Sequence, residues 1–290
     1  MRSVPRWGTA IVGGAAAAVA ALAIAARRWG AETARVVDRL HAEPADAPAA
    51  GAYDPARLAD LPAPVRRYFA FALAPGQRPV RRARIEHAGE FALQPGRWRP
   101  FTSVQEFTAG PPGFVWDARM AVAPLPARVR VRDSYVAGVG ASRAAVAALV
   151  PVGGQAGTPE VAASALWRYL AEAVWLPTAL LPSERLTWAA VDDSTASATL
   201  VDRGATAVAD FHFSARGEVV RVTGVRYRAV GDGQVLTPTV GWHRGYVRIE
   251  GMMVPTEGEV AWLLPEGSHA YWRARVVRAA YAYADGAGRP

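Results

Sequence analysis

The stretch from Thr158 to Pro182 carries the longest helical pattern in a run of about 170 residues that otherwise shows short strands and turns. Thr158 is suited to cap the helix and Pro159 to begin it, whereas Pro177 cannot continue it. Apolar residues recur at helical spacing in between: Val161, Ala162, Ala165, Leu166, Tyr169, Leu170, Ala173 and Val174. We therefore expect one broad face of this helix to lie on a sheet.

This arrangement makes a specific prediction for the side chains of the helix. We expect four of them to be buried against the sheet: Leu166, Tyr169, Leu170 and Ala173. Arg168 and Glu172 fall outside that apolar face, so we expect them nearer solvent.

The sequence on both sides of the helix alternates with a period of two, as half-buried strands do. Four such strands precede it and about seven follow, and the short turns between them are typical of an antiparallel meander. Between the two sets, the alanine content of Ala141 to Val150 favours a short helix. A further helix is predicted in LPAPVRRYFAFAL, where one stripe is apolar: Val65, Tyr68, Phe69, Ala72 and Leu73. The fold class is therefore α+β: a single large, curved, half-barrel-like antiparallel sheet of about ten strands, covered by amphipathic helices.

The N-terminal stretch Gly8 to Ala26 has no charged residue and is about as long as a membrane span. It is interpreted as a transmembrane helix, with residues 1–30 as the membrane anchor. A cleaved signal peptide is the alternative, with Ala23-Ile24-Ala25 as a small-x-small cleavage site. An anchor gives a single-pass protein of the cell membrane, and the arginines that flank the stretch favour a cytoplasmic domain.

The rest of the chain divides into a connection and one domain. Residues 31–53 are predicted to form a short helix, Ala31 to Leu40, and then a linker rich in proline and alanine. Residues 54–284 are predicted to form a single domain of antiparallel sheet and helices.

Cysteine and lysine are both missing, and their absence excludes several kinds of chemistry. Without cysteine there are no disulfides, thiolate nucleophiles, iron–sulfur sites or cysteine–zinc sites. Without lysine there is no P-loop lysine and no lysine Schiff base. The net charge of +8 is carried by arginine, and Arg128, Arg130 and Arg132 share one strand face. That face is either solvated or directed at an anionic partner, and no motif indicates nucleic acid.

The candidate site residues are of two kinds. Trp116, Trp167, Tyr169 and Trp175 either fill a core or line an apolar cavity between sheet and helix. The polar candidates are His87, on an apolar strand face, and Asp117 with Arg119, which are either a surface ion pair or a site for a polar ligand group. Neither HExxH nor GxSxG is present, so no catalytic residue, metal ligand or cofactor is predicted.

Several segments carry a resemblance to a known family: LPAPVRRYF, RWRPFTSVQEFT, PPGFVWDARM, GTPE, RYLAEAVWLPTALLP, GEVAWLLPEG and YWRAR. They resemble a bacterial family of membrane-anchored proteins of unknown function, and this resemblance covers nearly the whole chain after the linker. The order of helix, strands, helix and strands is also similar to the half-barrel of LolA-like lipoprotein carriers. That second likeness implies an extracytoplasmic domain, against the side that the arginines favour.

Three functions fit these observations. The first is a binding protein that holds an apolar or lipidic ligand between sheet and helix, in a cavity of a few hundred cubic ångströms. The second is an enzyme that uses His87 or Asp117/Arg119 together with Glu160 or Glu172, which requires two of these groups to converge. The third is an envelope interaction protein without a small ligand, whose protein partner is unknown. In all three the membrane is a partner through the N-terminal helix.

Overall fold

The structure is a computed structural model that describes residues 6–44, 52–92, 94–121, 128–231 and 233–284, with side chains from residue 18 onward. It begins with helix α1, Arg6–Ala42, so the helix predicted at Ala31 to Leu40 is the C-terminal part of one continuous helix. Among the described residues, no helix has both the length and the hydropathy of a membrane span. Most of the predicted linker, residues 45–51, lies outside the described residues.

Among the described residues, thirteen strands and two further α-helices follow α1. The helices are α2, Ala63–Ala72, and α3, Pro159–Glu172. The strands before α3 are β1 Val80–Ala92, β2 Trp98–Thr108, β3 Gly113–Ala121, β4 Arg128–Val136, β5 Val139–Val146 and β6 Val150–Ala156. Those after it are β7 Leu186–Ala190, β8 Thr195–Asp202, β9 Ala205–Phe213, β10 Val219–Val230, β11 Gly233–Ile249, β12 Met252–Leu264 and β13 Gly267–Tyr283.

All thirteen strands belong to one antiparallel sheet in the order β6-β5-β4-β3-β2-β1-β13-β12-β11-β10-β9-β8-β7. The large antiparallel sheet is as predicted, but the expected number of about ten strands is too low. The prediction of a helix over Ala141 to Val150 is wrong, because this segment contains the end of β5 and the start of β6. The β5 residues of this segment pair with β4 on one side and with β6, in a hairpin, on the other.

The sheet curls around α3, which contacts strands from both of its halves. The Tyr135 hydroxyl on β4 donates to Asp202 Oδ2 on β8 at 2.8 Å, although these strands are third and twelfth in the sheet. We call the side toward α3 the inner face and the other side the outer face. On β3, Trp116 faces inward and Asp117 outward, because successive strand residues alternate.

The predicted start of α3 is confirmed, since the Thr158 hydroxyl accepts a hydrogen bond from the Val161 N–H at 3.3 Å. Leu166, Tyr169, Leu170 and Ala173 are buried, as expected. The predicted stripe of α2 is buried as well, at Val65, Tyr68, Phe69, Ala72 and Leu73. The expectation that Arg168 and Glu172 lie nearer solvent is wrong, because only 15% and 14% of these side chains are exposed. The curled sheet covers the polar side of α3 as well as its apolar side.

Candidate ligand-binding cavity

A cavity of about 110 Å³ lies between α3 and the inner face of the sheet. Its walls are mostly aromatic: Phe91, Trp116, Trp167, Trp175, Trp242, Tyr271 and Trp272. Charged and polar side chains also reach it: Asp133, Arg168, Glu172, Arg226, His243 and Glu259. An apolar pocket with a few polar groups is the usual form of a small-molecule site.

The aromatic walls are held in place by hydrogen bonds and by ring contacts. Trp167 donates its Nε1–H to the carbonyl of Val208 at 2.9 Å, and Trp175 donates to that of Pro255 at 3.1 Å. The centre of the Trp175 ring lies 4.8 Å from that of His87 and 6.4 Å from that of Trp272. The indole rings of Trp167 and Trp175 are therefore held in fixed positions in the cavity wall.

Arg168 is the centre of a charged network at one end of the cavity. Its guanidinium binds Asp133 at 2.7 Å and Glu172 at 2.8 Å, and Glu172 also accepts from Gln105 at 2.6 Å. The guanidinium carbon lies 4.8 Å from the centre of the Trp116 ring. Burial alone lowers the pKa of Arg168, but the two carboxylates outweigh it, and the net shift of the pKa is upward. This arginine is charged and fully paired.

Several polar atoms on the cavity wall have no hydrogen-bond partner among the described residues. They are Nε1 of Trp116, Nε1 of Trp272, Nε of Arg226 and both ring nitrogens of His243. Trp116 is 2% exposed, and Trp272 and His243 are each 7% exposed. An unpaired polar group in a buried position costs free energy, so each such group in a native fold calls for a physical reason.

The two histidines on the inner face are neutral at pH 7. Burial lowers the pKa of His243 to about 4. Burial and the nearby charge of Arg168 lower that of His87 to about 3. His87 is 1% exposed and packs against Trp175 and Trp272, with Ser103 at 3.4 Å from its Nδ1. It lies behind the aromatic wall and does not line the cavity.

The structure brings together only some of the predicted site residues. Trp116, Trp167 and Trp175 all line the cavity. Tyr169 does not line the cavity, and its hydroxyl donates to the carbonyl of Thr108, the last residue of β2, at 2.9 Å.

Asp117 and Arg119 lie on the outer face, away from the cavity. Asp117 Oδ2 accepts from Trp29 Nε1 at 3.2 Å and from the Thr33 hydroxyl at 2.9 Å, both on α1, and it also binds Arg130 at 3.1 Å. Arg119 is exposed and forms no hydrogen bond or ion pair with a described residue. Asp117 therefore attaches α1 to the sheet.

The predicted row of arginines on β4 is divided by this helix. Arg128 is exposed, but Arg130 and Arg132 lie under α1 with 11% and 10% of their side chains exposed. Together with Arg143 they surround Trp29, with guanidinium carbons 5.0 to 5.5 Å from the centre of its ring. Arg130 and Arg132 are therefore largely covered by the protein's own helix α1.

Sequence reasoning missed Arg168, Arg226 and His243 as cavity residues. The sequence does contain one signal for these residues, which is a glycine inside a predicted strand. Such a glycine often marks space for a ligand. Gly241 lines the cavity, and a Cβ added there meets no atom closer than 3.9 Å.

Two further observations concern the rest of the surface. An open groove of about 760 Å³ runs along the outer face between α1 and β4 to β6. Within the described ranges, no group of three or more histidine, cysteine, aspartate or glutamate side chains is placed to hold a metal ion.

Comparisons with known proteins show the family of the chain but no activity. No curated protein is significantly similar to it. Its structure is similar to the crystal structure of a LolA superfamily protein from Nitrosomonas europaea, with 9% identity and a TM-score of 0.31 over 74% of this chain and 90% of that one. A TM-score at this level supports no functional argument. Residues 59–281 match the model of a family of unknown function, DUF6920, and the chain therefore belongs to that family.

Proposed function

We propose that the protein binds a small, largely apolar ligand in the cavity between α3 and the inner face of the sheet. One observation carries this proposal: seven aromatic residues line the cavity, and two of them, Trp116 and Trp272, have buried indole N–H groups without partners among the described residues. A bound molecule provides both the apolar contact and the missing hydrogen-bond acceptors.

The size of the cavity limits what enters it. A cavity of about 150 Å³ holds one benzene ring, and this one measures about 110 Å³. It is smaller than the few hundred cubic ångströms that the sequence led us to expect. The part of the ligand that is buried is therefore a single ring or a short chain, and a longer lipid tail extends out of the cavity.

The alternative function, an enzyme, requires two of its candidate catalytic groups to converge, and the described residues do not show such a pair. His87 contacts Ser103, Asp117 binds α1, and Glu172 binds Arg168 and Gln105. In the parts of the chain that the structure describes, no hydrogen bond joins any two of the candidates His87, Asp117, Arg119, Glu160 and Glu172.

The membrane partner is a separate proposal, supported by the charge-free stretch Gly8 to Ala26 and the arginines beside it. Extraction of cell membranes with carbonate tests it. An anchored chain stays in the membrane pellet, whereas a chain released into the supernatant contradicts the proposal.

Blocking the cavity tests the binding function. Gly241→Val adds a side chain where the cavity has room for it, and Gly153→Val is a matched control on β6, where an added Cβ meets nothing within 4 Å. We expect saturation-transfer NMR to detect single-ring compounds on the wild type and on Gly153→Val, and no binding to Gly241→Val. Equal binding to all three proteins places the ligand elsewhere and contradicts the proposal.

A further inference from the structure

The unpaired groups on the cavity wall are mainly hydrogen-bond donors. Indole Nε1 of Trp116 and Trp272 and guanidinium Nε of Arg226 donate and do not accept. The neutral ring of His243 has one donor and one acceptor, and neither has a partner among the described residues. A ligand that satisfies this wall must therefore bring acceptors.

A cationic ligand does not fit, although aromatic walls often bind cations. The protein's own arginines already lie over two rings of the cavity wall, and one of them also lies over Trp262 outside it. The guanidinium carbon of Arg168 is 4.8 Å from the centre of the Trp116 ring, and that of Arg226 is 5.7 Å from the Trp167 ring and 5.0 Å from the Trp262 ring. An ammonium group also brings donors toward a wall of donors.

An anionic ligand is also disfavoured. Three carboxylates line the cavity, those of Asp133, Glu172 and Glu259, against two guanidinium groups. Arg168 is already bound to two of the three carboxylates. His243 adds no positive charge because burial keeps it neutral at pH 7. A further negative charge in this space has three carboxylates as neighbours, and the one remaining cation, Arg226, already lies over the Trp167 and Trp262 rings.

From these three steps we infer that the buried part of the ligand is an uncharged, flat ring that carries a carbonyl oxygen, which accepts hydrogen bonds from Trp116 and Trp272. The aromatic walls contact the ring, and the volume of about 110 Å³, below the ~150 Å³ of a cavity that holds benzene, limits the buried part to no more than one ring. This inference rests on the proposed binding function and adds the chemical class of the ligand.

Four single-ring compounds of similar size test it: acetophenone, ethylbenzene, benzoate and benzylammonium. Dissociation constants come from NMR titrations of the full chain at pH 7. We expect acetophenone to bind about fivefold or more tightly than ethylbenzene, which is the effect of about one hydrogen bond. Benzoate and benzylammonium are expected to bind more weakly than acetophenone. The affinity for acetophenone should be the same at pH 6 and at pH 8, because neither binding partner changes its charge in that range.

The double variant Trp116→Phe/Trp272→Phe removes both indole donors and keeps aromatic rings at both positions. We expect it to bring the affinity for acetophenone to within about twofold of that for ethylbenzene. Thermal melting shows whether the variant is folded. If it is not, each single variant is measured, and each is expected to lose part of the preference.

The results separate this inference from the binding function itself. Ethylbenzene binding as tightly as acetophenone, or either ion binding most tightly, overturns the inference and leaves the binding function in place if Gly241→Val still blocks binding. An acetophenone preference that survives in the tryptophan variants also overturns it. Absence of binding by all four compounds overturns both.

Discussion

Arg168 on α3 and Asp133 on β4 form an ion pair of 2.7 Å inside the curled sheet, with only 15% and 26% of their side chains exposed. Arg168 also binds Glu172 one turn further along the helix. Arg168→Met leaves two carboxylates in a poorly solvated place without their cation. We expect it to lower the free energy of unfolding by about 3 kcal/mol, measured by urea denaturation.

The ion pair between Arg273 and Glu90 is the matched control, because 47% and 43% of these side chains are exposed. Arg273→Met should change the free energy of unfolding by about 1 kcal/mol or less. Equal losses in the two variants contradict the structural role of Arg168.

Arg168 also shows which part of the structure the sequence does not predict. The N-cap and the apolar stripe of α3 depend on neighbours within the helix, and they were predicted correctly. The prediction that Arg168 and Glu172 lie nearer solvent assumed that only one side of the helix is covered. Asp133 is distant in the sequence, and no local pattern shows that β4 curls over the polar side.

The error at Ala141 to Val150 has a different physical cause. Alanine has a high intrinsic helix propensity, but tertiary contacts override it. Here the pairing of this segment with β4 makes it a strand. Gly140, at the start of β5, lies so close to α3 that a Cβ there is 2.4 Å from the Val161 carbonyl oxygen. Contacts of this kind come from tertiary structure and leave no periodic signal.

Acid should destabilise the protein through its two buried histidines. Both have a folded-state pKa below the unfolded value of 6.5, about 3 for His87 and about 4 for His243. Their neutral form is therefore favoured in the folded state. The associated stability is fully present above pH 6.5 and is lost as the pH falls toward the folded pKa values.

Each histidine contributes a slope of about 1.4 kcal/mol per pH unit to the free energy of unfolding within that window. In His243→Phe, the slope between pH 6 and pH 4.5 should be smaller than in the wild type by about that amount. Urea denaturation at several pH values measures it, and the slopes between pH 7 and pH 8 serve as the internal control. The prediction does not hold if both proteins show the same slope at acidic pH.

Asp117 and Arg119 were predicted either to form a surface ion pair or to bind a polar ligand group. In the structure, Asp117 binds α1 on the outer face, whereas Arg119 is exposed. Asp117→Ala removes the acceptor shared by Trp29, Thr33 and Arg130. We expect the amides of α1 from residue 29 to residue 40 to exchange with deuterium about tenfold faster, and those of α3 to be unchanged. Arg119→Ala is the control on the same strand, and it should leave α1 as protected as in the wild type. Equal exchange in the two variants rules out Asp117 as the attachment of α1.

The contact between Tyr135 and Asp202 closes the sheet around α3, and Asp202 is 1% exposed. Tyr135→Phe removes one donor to this buried carboxylate, so we expect a loss of about 1 to 3 kcal/mol in the free energy of unfolding. Tyr283→Phe removes a similar hydrogen bond to the exposed Glu250 and should cost about 0.5 kcal/mol or less. Thermal or urea denaturation compares the two, and similar losses contradict the importance of the closure.

The order of strands has a consequence for how the chain reaches this fold. The first strand, β1, pairs with the last, β13, from Val80 opposite Tyr283 to Phe91 opposite Trp272. The middle of the sheet is therefore the part that a ribosome completes last, and until then β1 presents an unpaired edge on the nascent chain. Pairing over such a long sequence separation is slow. A chain that stops before β13 lacks the strand pairing at the centre of its sheet, and its two meanders are then held together by α3, the segments beside it and the contact between Tyr135 and Asp202.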